Sequence, residues 1–217
     1  AAFVNDKIKN KGNAQPTGGI GFFECIRDES AAFILFDACK DWLEQQGMEA
    51  MDGPVNFGDR DKWWGLLVDG FDLEPNYNCN YNFPYYREFF ERYGFQLYFK
   101  QYTYARKVYE PISEKLKIKA DRIYADPKYT FRHMNLREID RYTDYFRIVY
   151  NKAWGRHKGV PELNEKMARH LMAQMKPIID EKIMWFGFYE EEPIAIFINL
   201  PEVNQLFKHV NGKLDLL

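Results

Sequence analysis

Only three cysteines, Cys25, Cys39 and Cys79, occur in 217 residues, and no two of them form a C-x-x-C pair. So small and odd a set fits reduced thiols in a cytoplasm better than a disulfide framework. An excess of charge of either sign is also missing: 30 basic residues stand against 32 acidic ones, for a formal net charge of -2. The two signs are interleaved, so no field condenses the chain onto phosphate backbones and no nucleic-acid partner is expected. Long hydrophobic runs are lacking as well. The most apolar, "AAFILF" and "IAIFINL", fall far short of the roughly 20 residues that cross a bilayer, and no signal-peptide pattern opens the chain. The four histidines, His133, His157, His170 and His209, do not show the paired spacing of a zinc site, so no metal is expected.

What the chain has instead is aromatic side chains, 18% of residues within a hydrophobic total of 46%. A chain of this length buries about 70% of its unfolded surface and needs no staples. Residues 1–5 read as a strand, 5–17 as a polar loop and 19–26, "GIGFFECI", as a second strand. From Ser30 the apolar positions Ala32, Phe33, Phe36, Cys39 and Leu43 follow helical spacing, with Asp28 or Ser30 as N-cap and Gly47 as the stop. "MEAMDGPV" reads as a short strand, followed by a loop-rich stretch. Pro84 opens the helix of "PYYREFFERYGF", and "QLYFKQYTYAR" alternates as a strand. The charged stretch 109–126 is a linker or a short helix. After it come a strand "KYTFRHM", an amphipathic helix marked by Leu136, Ile139, Tyr142, Phe146 and Val149, and a helix over 161–179 with Pro161 in its first turn. A hairpin turning at Glu190–Glu192 and a final helix from Pro201 complete the order. The fold class is α/β, with mixed sheet.

The segment "YYREFFERYGFQLYF" is similar to the closing helix of the GNAT acyltransferases, and "FFECIRDESAAFILFDACKDWLEQQG" matches the arrangement of their central strand, donor loop and long helix. In element order, residues 1–108 resemble the end of one GNAT repeat and 127–217 the start of another, joined by a linker at 109–126. The chain thus reads as a portion of a tandem protein, or else as one composite domain. The resemblance implies a central mixed sheet flanked by helices on both faces, and an N-acyltransferase moving an acetyl or other acyl group from acyl-CoA to a small-molecule or peptide amine. Strand edges at both ends suit pairing with a second copy into a homodimer.

The resemblance places acyl-CoA against Cys25, Ile26, Arg27, Ser30, Ala31 and Ala32, where free N–H groups at a helix start would hold its diphosphate. The family's glycines are absent there, however, and Asp28 and Glu29 add negative charge, as a simple well-capped helix would have. The family's proton-donating tyrosine falls at Phe90, which has no proton to give. Tyr86, one helical turn earlier, is the substitute acid or else an amphipathic core tyrosine. Glu24 stands where the family often carries a base. Asn56, Asn80 and Tyr81, in the aromatic loop region, line an acceptor groove or merely pack the loop. The two departures leave open a second reading, a non-catalytic module that kept the fold.

Overall fold

The computed structural model describes residues 1–6, 9–10, 12–60, 63, 65–155 and 162–211. Two compact units divide the chain, Ala1–Thr103 and Tyr104–Leu217, and each carries its own three-stranded sheet. The fold is therefore mixed α/β, but with two small sheets in place of one central sheet.

The first unit contains β1 (Ala2–Phe3), β2 (Thr17–Ile20), α1 (Glu29–Gln45), β3 (Ala50–Asp52) and α2 (Tyr86–Tyr93). β1 pairs antiparallel with β2, and β2 pairs parallel with β3 through the Thr17↔Ala50, Gly18↔Met51 and Gly19↔Asp52 register. A parallel pair needs a crossover, and α1 supplies it. Asp28 caps α1 through its side chain, and Ala32, Phe36 and Leu43 form the buried face. That face can lie so close to the sheet because β2 presents Gly18: a Cβ there would stand 2.3 Å from Leu43 Cδ2.

Phe36 is the centre of the first core. Its ring meets those of Phe23, Phe90, Tyr93 and Phe95 at centroid distances of 5.0, 4.7, 4.9 and 5.5 Å. α2 ends at Gly94, whose φ of 116° a side chain would oppose. The Phe95 N–H returns to the Phe90 carbonyl, which folds the Phe95 ring back onto the core. This explains Tyr93-Gly94-Phe95 as a helix stop with an aromatic plug.

The second unit contains α3 (Glu114–Tyr124), β4 (Tyr129–His133), α4 (Ile139–Trp154), α5 (Glu165–Met175), β5 (Trp185–Tyr189), β6 (Glu192–Phe197) and the short α6 (Asn204–Phe207). Its strands run β4-β5-β6, antiparallel throughout. Met134, Tyr142, Phe146, Met172, Met184, Phe186 and Phe188 belong to its core. The β5–β6 turn sets Glu190 and Glu191 at φ 48° and 66°, the twist that a two-residue hairpin demands.

Three expectations from sequence require correction. The second strand is Thr17–Ile20 and not 19–26, because beyond Ile20 the backbone turns away from β3. The "QLYFKQYTYAR" strand is not formed: residues 96–106 have no regular structure, and Leu97, Tyr98 and Phe99 are exposed. Alternating residues make a strand only where a neighbouring strand offers its edge. The helix expected from 161 begins at Glu165 instead, after the Asn164 side chain caps it at the Met167 N–H. Pro161 and His157 lie outside the described residues.

Candidate functional site

The site is built where the chain leaves β2. On the β3 side the last ladder-like bond runs from the Val55 N–H to the Ile20 carbonyl, 2.6 Å, and on the β1 side Gly21 and Ala1 exchange the last pair, both at 2.9 Å. Gly21 then passes so near Asn56 that a Cβ would stand 2.6 Å from the Asn56 Cα. The Asn56 carboxamide oxygen accepts the Phe22 N–H at 2.7 Å. From Phe23 to the α1 cap, no backbone group bonds to a neighbouring strand among the described residues.

Two adjacent tyrosines stand in for the missing strand. The Tyr86 hydroxyl accepts the Cys25 N–H at 2.9 Å and donates to Glu24 Oε2 at 2.8 Å. The Tyr85 hydroxyl donates to the Cys25 carbonyl at 2.9 Å. Tyr86 is buried, between the rings of Phe23 and Tyr85, while Glu24 is exposed. The alternation of the backbone explains the contrast: Phe23 turns into the core, and Glu24 turns out. Burial, and secondarily the Glu24 carboxylate, push the Tyr86 phenol up to about 12, although the Cys25 N–H works the other way. The hydroxyl therefore stays protonated across the physiological range. Burial raises the Cys25 thiol as well, with the Asp28 charge adding to it.

At the start of α1, the Asp28 carboxylate accepts the Ser30 and Ala31 N–H groups at 2.8 and 3.3 Å, and its carbonyl accepts the Ala32 N–H at 3.1 Å. The N–H groups that the family resemblance would give to a diphosphate are thus already bonded within the chain. Ile26 and Arg27 are exposed, and the Arg27 guanidinium sits 5.8 Å from the centre of the Tyr85 ring. An open groove alongside is lined by Arg27, Pro84, Tyr85, Arg87, Glu88 and Glu91. Arg87 is paired with Glu91 at 2.7 Å, whereas Arg27 has no ion pair among the described residues.

Glu24, Tyr86, Cys25 and Arg27 are thus brought together. Asn56 is joined to the same stretch through Phe22, but its amide oxygen is spent on that backbone bond. Asn80 is elsewhere, its Nδ2 donating to the Gly65 carbonyl, and the exposed Tyr81 packs edge-on at 6.5 Å against Phe71. Phe90 lies 3% exposed among the rings of Phe23, Phe36 and Phe95. Tyr85 escaped the sequence reading. Its only signal was adjacency to Tyr86 at a helix start, where two successive hydroxyls can reach the same passing strand.

No helix among the described residues is long and apolar enough to cross a membrane. The chain is 28% identical over 205 residues to the bacterial ceramide synthase of Caulobacter vibrioides, covering 92% of this chain and 53% of that protein. It is 23% identical over 210 residues to protein YghO of Escherichia coli K12, covering 96% of this chain and 53% of that protein. The chain therefore spans about half the length of the curated relatives it matches. No family model matches it, and no solved structure does.

Proposed function

We propose that this chain is part of an N-acyltransferase of GNAT-like design, which moves an acyl group from a CoA thioester to an amine. The observation that carries the reading is the exposed Glu24 carboxylate held against the buried, protonated Tyr86 hydroxyl at a break in the sheet. An exposed carboxylate fixed in one place is what amide formation from a thioester needs. The amine nitrogen attacks the thioester carbonyl, its surplus proton passes to Glu24, and the C–S bond breaks to release the CoA thiolate, which takes a proton from solvent. Tyr86 bonds the carboxylate on the side away from the substrate. Arg27, which lines the groove and has no carboxylate partner among the described residues, is suited to a donor phosphate. The relative named a ceramide synthase supports the same class, since a ceramide is the amide of a fatty acid with a long-chain amino alcohol.

The test is thiol release and amide formation by the full-length protein, with acetyl-CoA or palmitoyl-CoA as donor and sphinganine as acceptor. Glu24→Gln is expected to lower kcat by about 10²- to 10⁴-fold, the usual contribution of a general base. Wild-type rates in Glu24→Gln would remove the assignment.

A second reading, a non-catalytic module that retains the fold, is favoured by one observation: Asp28 and the two tyrosines already occupy the backbone groups that a donor would use. Calorimetric titration with acetyl-CoA separates the two, because the module reading expects no saturable heat.

A further inference from the structure

Tyr85 takes no part in the proton transfer proposed above, yet its hydroxyl reaches the carbonyl of the residue that follows Glu24. Its ring is fixed on several sides: stacked on Phe83 at 5.2 Å, edge-on to Tyr86 at 5.1 Å and to Phe89 at 5.4 Å, with the Arg27 guanidinium over it. The stretch it grips has no strand neighbour to hold it. Between Phe22, anchored by Asn56, and Asp28, whose N–H bonds the Ile26 carbonyl, the Cys25 backbone bonds to the two tyrosines are the only hydrogen bonds fixing the backbone among the described residues.

We infer that Tyr85 is a positioning residue for Glu24: the hydroxyls of Tyr85 and Tyr86 grip the two peptide groups flanking Cys25, one at its C=O and one at its N–H, and so hold the preceding carboxylate against Tyr86. Losing either bond lets the segment pivot about the other. The carboxylate then samples a wider arc, and the reacting atoms meet less often in the attacking geometry. The kinetic part of this inference rests on the N-acyltransferase reading; the geometric part does not.

The experiment uses the whole chain with ¹³C-labelled glutamate side chains, the Glu24 carboxyl resonance being assigned by its disappearance in Glu24→Gln. Tyr85→Phe keeps the ring and removes only the hydroxyl. It is expected to displace the Glu24 resonance in the same direction as Tyr86→Phe, and to lower kcat about 10-fold with KM unchanged in the acyl-CoA and sphinganine assay. Tyr93→Phe is the control, since it removes a hydroxyl of the same helix that bonds Asp37 instead, and it should leave both readouts alone. A Glu24 resonance unmoved by Tyr85→Phe overturns the inference. A displaced resonance while the full-length protein transfers no acyl group upholds the clamp and discards the acyltransferase reading.

Discussion

Phe90→Tyr would place a phenol where the GNAT resemblance wants one, and the structure says that the change should damage the protein and restore nothing. The Phe90 ring is 3% exposed and is enclosed by Phe23, Phe36 and Phe95 at centroid distances of 5.2, 4.7 and 4.8 Å. The Gly53 backbone closes another side, where a Cβ would stand 3.4 Å from Phe90 Cε1. An added hydroxyl enters a dry aromatic box. Left without a partner it costs about 1–3 kcal/mol, and the extra atom in a filled core adds about 1–3 more. A loss near 3 kcal/mol in a unit of this size lowers its melting temperature by more than about 10 °C. Scanning calorimetry of the full chain reads this directly, as a downward shift of one transition. A variant that melts with the wild type, or that releases thiol from acetyl-CoA faster, would mean that the ring edge reaches the site, and the proposed route, with Glu24 as base and the thiolate protonated from solvent, would fall.

Phe36→Ala empties the centre of the same core and should cost about 3–5 kcal/mol, as a denaturant titration of the chain would show. Tyr86→Phe leaves the Cys25 N–H and the inner face of Glu24 without a partner, for a loss of about 1–3 kcal/mol in a denaturant titration. The Tyr86 phenol, raised to about 12 in the fold from an ordinary value of 10, adds a pH dependence. Its neutral form is favoured by folding, so its contribution is fully present below pH 10 and is lost as pH rises toward 12. The loss is on the order of 2 kcal/mol, and the alkaline limb of a stability-against-pH curve should be shallower in Tyr86→Phe. At the β5–β6 turn, Glu191→Gly relieves a left-handed backbone at the expense of a surface pair with Arg132, and is expected to raise stability by up to about 1 kcal/mol in a thermal melt.

Local patterns carried much of this protein. The Asp28 cap, the Phe36 stripe of α1, the Gly94 stop of α2 and the glutamate turn between β5 and β6 are each decided within a few residues, so the sequence specified them before any packing was known. Glu24 and Tyr86 were also legible as residues, though not their relation, because they are 62 positions apart and meet only when the start of α2 comes beside the stretch that follows β2. What tertiary structure decided was the supply of neighbours. Alternation in residues 96–106 found no strand edge and formed no strand, and the stretch after Ile20 lost its partner and was taken up by Tyr85 and Tyr86. The N–H groups at the start of α1 went to Asp28, though the same sequence allowed them to remain open to an anion. Helix caps and turns are settled by bonds inside one segment. A strand, or a hydroxyl's partner, is settled only by which other segment arrives beside it.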